Sequence, residues 1–309
     1  MATLAAVDCG TNSVRLLVSD GQGRARRVLD RRMTITRLGQ GVDASGRLAP
    51  EAIERTLAVL REYRQVIDEL GATEVVVAAT AAARDAANAA DFFAPAEAVL
   101  GVAPRCLTGD EEGRLGFLGA TAGLSPDDGP FLVVDLGGGS TECTVGTTEP
   151  VAVRSLPIGA VRLTERHLDG DPPEPEGLSN AIFEATEAFD SLVREVPEVL
   201  GVRTVIGVAG TITTVTAVEI GLQTWDDAAI HHFELTKAAA EDVFRTLATE
   251  PLADRVHNPG LDPARADVIV GGCCALVALY RTLGLDSILV STTDILDGLL
   301  LDLAERTGG

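Results

Sequence analysis

The chain has 309 residues, 46% of them hydrophobic and 23% charged, with a formal net charge of −21. That length allows two ordinary domains around a large buried core. The acidic balance argues against non-specific binding to nucleic acid or membrane surfaces, which needs a basic face.

No run of 18 apolar residues occurs, and the first ten residues carry neither a charged leader nor a cleavage site. The five cysteines (9, 106, 143, 273 and 274) form no metal spacing and no disulfide framework. The expectation is a soluble cytoplasmic protein.

In chain order, residues 3–8 and 13–19 are strand-like runs joined by a tight turn at 9–12, and a third strand follows near 25–35. Residues 50–70 carry Ile53, Leu57, Leu60, Ile67 and Leu70 at helical spacing, with Pro50 at the start and Gly71 just beyond. A buried strand at 74–79 and a helix around 86–100 continue an α/β alternation. The Pro/Gly/Asp-rich stretch 121–130 marks a boundary, giving domains 1–123 and 124–309, with the last helix packing back on the first domain. Strand–turn–strand then resumes, and two strand-to-helix junctions follow, at 203–221 and near the C-terminus.

One repeat organises the motifs. Offset by 127 residues, VDCGTNSVRLLV (7–18) lies over VDLGGGSTECTV (134–145), so that Asp-x-Gly-x-x-Ser occurs at 8/10/13 and again at 135/137/140. Two related domains are expected, each presenting an equivalent hairpin turn. Successive backbone amides in such turns hold anionic oxygens, and glycine lets a phosphate approach closely. Gly10, Thr11, Asn12 and Ser13 in one copy, and Gly137, Gly138, Gly139, Ser140 and Thr141 in the other, are therefore candidate phosphate ligands. Either turn alone reads equally well as an ordinary glycine-rich hairpin.

Asp8 and Asp135 end their strands at equivalent points, and Glu142 follows the second turn. Carboxylates beside phosphate call for a divalent cation between them, and Mg²⁺ takes one or two carboxylates while keeping waters and substrate oxygens. Gly210, where a strand enters a helix, offers a helix N-terminus to an anion.

Thr108 and Glu111 have capping-box spacing, which assigns Glu111 to structure and leaves Glu112 to proton transfer or to an exposed helix face. Arg15 and Arg84 suit either phosphate contacts or surface ion pairs. Among the basic residues only Lys237 is a lysine, so no Walker lysine is present. The pair His231–His232 points to opposite sides if extended and reads as structural. The dinucleotide fingerprint and the nucleophile elbow are absent as well.

These stretches, together with ATAAARDAANAADFF, TGDEEGRLGFLGA, LPIGAVRLTE, VAGTITT, DPARADVIVGG and ILVSTTDILDG, resemble the exopolyphosphatase / guanosine pentaphosphate phosphohydrolase family, over essentially the whole chain and in family order. The resemblance implies two ribonuclease-H-like domains of the actin–sugar kinase–Hsp70 kind, with a phosphate chain in the cleft between them. It implies Mg²⁺-dependent release of terminal orthophosphate from inorganic polyphosphate, with guanosine pentaphosphate hydrolysis or non-catalytic sensing as alternatives, and a homodimer. It places the catalytic base on Glu112 and phosphate contacts on Arg15 and Arg84. Gly113 replaces the usual alanine, and Thr292 stands where glutamate is expected. The chain ends soon after DILDG, which implies a preference for short polyphosphate.

Overall fold

The computed structural model describes residues 2–20 and 26–307. The chain divides into two compact units, one formed by residues up to Gly123 together with those from Asp294 onward, the other by Leu124–Thr293.

The first unit runs β1 (Thr3–Cys9), β2 (Ser13–Asp20), β3 (Arg27–Ile35), α1 (Val42–Ser45), α2 (Pro50–Glu69), β4 (Glu74–Ala79), α3 (Ala81–Asp85), α4 (Ala90–Leu100), β5 (Arg105–Cys106) and α5 (Gly109–Thr121). The third strand thus starts at Arg27, residue 25 lying outside the described residues. The helix expected around 86–100 is α4, with the short α3 preceding it. The sheet order is β3-β2-β1-β4-β5, with β1 antiparallel to β2 and parallel to β4.

β1, β2 and most of β4 are buried on both faces, which is why they read as near-continuous apolar runs, whereas the edge strand β3 is not buried. Ala5, Val7 and Cys9 join Leu16, Leu57 and Phe92 in one core, while Leu4 and Ala6 join Leu17, Leu296 and Leu300 in another. The period of two therefore puts Asp8 and Arg15 on the second face.

The second unit runs β6 (Phe131–Leu136), β7 (Thr141–Gly146), β8 (Pro150–Leu156), α6 (Ala160–His167), α7 (Pro175–Glu195), β9 (Thr204–Val208), α8 (Ala209–Ile220), α9 (Asp227–Ile230), β10 (Glu234–Thr236), α10 (Lys237–Thr249), α11 (Leu252–Arg255), α12 (Ile269–Thr282) and β11 (Ser287–Val290). Read from β8, its sheet is β8-β7-β6-β9-β11-β10, the same progression as in the first unit with one added antiparallel strand. The sequence repeat is thus a repeat of topology, and both units are α/β.

The last helix, α13 (Ile295–Thr307), belongs to the first unit and crosses α5 at very short range. A Cβ at Gly119 would lie 1.8 Å from the Asp294 carbonyl oxygen, and one at Gly298 would lie 1.9 Å from that of Leu115. Only hydrogen at both positions permits this approach.

Candidate active site

In the first unit, the carboxyl ends of the parallel strands β1, β4 and β5 lie side by side, with Cys9 paired to Ala79 and Ala79 to Cys106. The turn after β1, the start of α3 and the segment entering α5 therefore emerge at one edge of the sheet, where open α/β sheets bind ligands. The second unit repeats this: Asp135 pairs with Val208 and Gly207 with Val290. The second glycine turn, the start of α8 and Ser291–Thr293 share its edge.

The two turns close with the same bond. Gly10 N–H donates to Ser13 O at 3.0 Å, and Gly137 N–H donates to Ser140 O at 3.0 Å. The amides of Gly10 and Gly137 are thereby used by the fold. Those of Thr11 and Asn12, and of Gly138 and Gly139, donate to no protein acceptor among the described residues. Unpaired amides in succession are the chemistry of an anion nest.

The carbonyls of these loops are fixed from outside. Asn12 O accepts from Thr36 and Arg37 N–H, and Thr11 O from Gly39 N–H. Gly137 O accepts from Ala160 N–H and Gly138 O from Val161 N–H. The first turn of α6 therefore buttresses the second loop. A Cβ at Gly159 would stand 2.5 Å from Gly138 O, so the α6 approach needs glycine there.

Thr141 departs from its expected role. Its hydroxyl is buried and donates to Ile158 O at 2.8 Å, so its proton serves the loop framework. No hydrogen bond of the Ser13 or Ser140 hydroxyl to protein is present among the described residues.

Charge differs between the copies in a way the register makes plain. Arg15 lies directly across from Asp8, and Glu142 directly across from Asp135, at equivalent positions of the repeat. In the first copy, Asp8 Oδ2 accepts from Arg15 Nε at 3.0 Å and Nη2 at 2.6 Å, and Arg15 Nη1 also donates to Asp294. Asp8 is only 3% exposed, and its Oδ1 is buried with no hydrogen-bond partner. Burial holds the Asp8 carboxyl above the usual carboxylate range, with Arg15 opposing. In the second copy, two buried carboxylates sit on adjacent strands, and Ser155 Oγ donates to Glu142 Oε1 at 2.6 Å.

In the second unit, Asp135 and Glu142 set two carboxylates on adjacent strands, a donor pair that suits a divalent cation. In the first, Asp8 Oδ1 is a buried oxygen with no hydrogen-bond partner. Within either unit taken alone, no cluster of three or more His, Cys, Asp or Glu is assembled among the described residues.

Glu112 and Arg84 come together. Thr108 caps α5, its hydroxyl accepting from Glu111 N–H while Thr108 N–H donates to Glu111 Oε2 at 2.9 Å. Glu111 is thereby tied down, and its carboxyl is held below the usual range by those bonds. Glu112 turns inward, 9% exposed. Arg84 Nη1 donates both to Leu107 O at 2.9 Å and to Glu112 Oε2 at 3.0 Å. One guanidinium nitrogen thus anchors on the backbone and orients the carboxylate. Gly113 is accommodated inside an unbroken α5.

Gly210 opens α8 behind Ala209, whose φ of 72° is left-handed. A Cβ at Gly210 would meet the Arg265 guanidinium at 2.0 Å, so glycine is what seats Arg265 over this helix start. Arg265 and Asp294 escaped the sequence reading. The first stood inside DPARAD with no spacing cue, and the second precedes a helix and binds Arg15 from 279 residues away.

The histidine pair does not take the extended form that would put its rings on opposite sides. His232 has φ 64°, so the chain is not extended there and the two rings stack at 3.8 Å. His231 Nδ1 accepts from Thr292 N–H at 3.2 Å, which gives Thr292 a structural place.

Residues 17–307 match the model of the Ppx/GppA phosphatase family. A Mycobacterium tuberculosis protein named Exopolyphosphatase 2 is 44% identical over 317 residues, covering 98% of this chain and 99% of that protein. A solved exopolyphosphatase-like protein superposes with TM-score 0.94 at 37% identity, over 99% of this chain and 100% of the other. The Aquifex aeolicus Ppx/GppA family member gives TM-score 0.81 at 31% identity, over 100% and 99%. Two repeated α/β units, the doubled glycine turn and a near full-length family match lead to one conclusion: the chain belongs to the Ppx/GppA phosphatase family.

Proposed function

We propose that this protein is an exopolyphosphatase that releases terminal orthophosphate from inorganic polyphosphate. The observation that carries the reading is the Arg84–Glu112 pair: a buried carboxylate, oriented by a guanidinium and spared from capping by its neighbour Glu111.

The unpaired amides of Thr11, Asn12, Gly138 and Gly139 bind phosphate oxygens, and the Ser13 and Ser140 hydroxyls add donors. Glu112 takes a proton from water as its oxygen attacks the terminal phosphorus. The P–O bond to the next phosphate breaks, orthophosphate departs, and the chain is left one unit shorter. Arg84 keeps Glu112 oriented and supplies positive charge beside it. Phosphoryl transfer asks for little beyond such positioning and electrostatics. Asp135 and Glu142 would hold Mg²⁺ on the second unit, which when bound neutralises phosphate charge, and Asp8 Oδ1 is the corresponding carboxylate oxygen on the first.

All five cysteines are free thiols, which supports the reducing cytosol as compartment. Among the described residues no helix is long and apolar enough to cross a membrane. A symmetric homodimer is the assembly expected of it.

The test is orthophosphate release with Mg²⁺ from short polyphosphate, long polyphosphate and guanosine pentaphosphate, side by side. Release from polyphosphate is expected. Release from the nucleotide alone would replace the reading with guanosine pentaphosphate hydrolysis. Binding without release from any of them would make the protein a sensor.

A further inference from the structure

On the first unit, three arginines surround one carboxylate without bonding to it. Arg105 of β5, Arg114 of α5 and Arg306 of α13 approach Asp302 at 3.7, 3.8 and 3.7 Å. Arg105 also faces Glu111 at 3.6 Å. All four separations exceed hydrogen-bond reach. Among the described residues Arg114 and Arg306 make no hydrogen bond, and Arg105 Nη1 is a buried nitrogen with no hydrogen-bond partner.

Each guanidinium carries five donors in a planar fork suited to phosphate. Glu111 is already used by the α5 cap, so the five charged groups leave an excess of one positive charge and many unused donors. In a chain of net charge −21, such a concentration is out of keeping with an inert surface. Exposed pairs at these separations are weak, so exchanging Asp302 for phosphate oxygens costs little.

The patch is built on the same elements that carry Glu112 and its anchor. Arg105 lies two residues before Leu107, whose carbonyl anchors Arg84, and Arg114 lies two residues after Glu112 on the same helix.

We propose that Arg105, Arg114 and Arg306 form a second anion subsite, which holds phosphates of the polyphosphate chain behind the one being released. The inference rests on the exopolyphosphatase reading and extends it to the length of chain that contributes to binding.

The experiment compares wild type with R114Q/R306Q, both positions being substantially exposed, and with R105Q. KM is measured for tripolyphosphate and for long-chain polyphosphate over a range of salt. With R114Q/R306Q, KM for the long chain should rise roughly tenfold and that for tripolyphosphate less than twofold. The slope of log KM against log salt should flatten by about 0.7 per lost contact, as for other single-stranded polyanions.

Equal effects on both substrates, or none, in variants that melt like wild type would overturn the subsite. If wild type releases no orthophosphate from either substrate, the exopolyphosphatase reading fails by itself. The subsite is then decided by direct titration with fluorescent long-chain polyphosphate: roughly tenfold weaker binding by R114Q/R306Q supports it, and unchanged binding refutes it.

Discussion

The crossing of α5 and α13 permits a sharp test, because the sign of a glycine substitution depends on the packing. In an exposed helix interior, alanine in place of glycine stabilises by roughly 0.5–1 kcal/mol. At Gly298 the added Cβ would lie 1.9 Å from the Leu115 carbonyl oxygen and 2.7 Å from its carbon, both backbone atoms that no rotamer change can move. Relief needs the helices to part by roughly 1.5 Å, in a layer where Leu115, Leu296, Leu299 and Leu300 are nearly fully buried.

Overpacking of this kind costs typically 1–3 kcal/mol and occasionally more. At the upper value, about 3 kcal/mol, Tm falls by roughly 6–12 °C. Thermal denaturation of Gly298→Ala, followed by circular dichroism, measures it. Gly123→Ala is the control, since nothing lies within 4 Å of its added Cβ. A Gly298→Ala protein melting within about 1 °C of wild type would refute the close crossing and, with it, the placing of Asp294 against Arg15.

Other consequences are as direct. Thr108→Ala removes the α5 cap and should cost about 1 kcal/mol, read from denaturant unfolding; an unchanged midpoint would contradict the capping box. Burial raises the Asp8 carboxyl above its unfolded value, so its contribution to stability is present below about pH 3.9 and lost as pH rises through the folded value. Metal-free Asp8→Asn should accordingly melt at or above wild type at pH 8, with the difference shrinking toward pH 4, and a less stable variant at pH 8 would refute the sign. Cys106 is the one exposed thiol of five, while burial pushes Cys273 up to about 12 and Cys9, Cys143 and Cys274 higher still. A thiol reagent should therefore titrate one equivalent in the native protein and none in Cys106→Ser; a second rapid equivalent would contradict the burial of the others.

What could be read in advance was local. The doubled Asp-x-Gly-x-x-Ser turn announced two equivalent hairpins because glycine and strand periodicity act within a dozen residues. The Thr108–Glu111 box separated two adjacent glutamates because capping is a matter of spacing. Contacts formed by tertiary packing left no such trace. That Arg15 would be shared by Asp8 and Asp294 depends on a helix hundreds of residues later, and that Thr141 would serve Ile158 depends on how β8 leads into α6. The inversion between copies, arginine facing aspartate in one and glutamate facing aspartate in the other, was present in the aligned sequences. It acquired meaning only through the strand register that sets positions 8 and 15, and 135 and 142, opposite each other.

The central claim is that Glu112 activates water while others bind the substrate. The most direct measurement is Glu112→Gln, assayed for both orthophosphate release and polyphosphate affinity. The expected result is a loss of turnover of roughly 10²–10⁴-fold with the dissociation constant within about twofold of wild type. A variant that keeps turnover near wild type, or loses binding in proportion to activity, would contradict it.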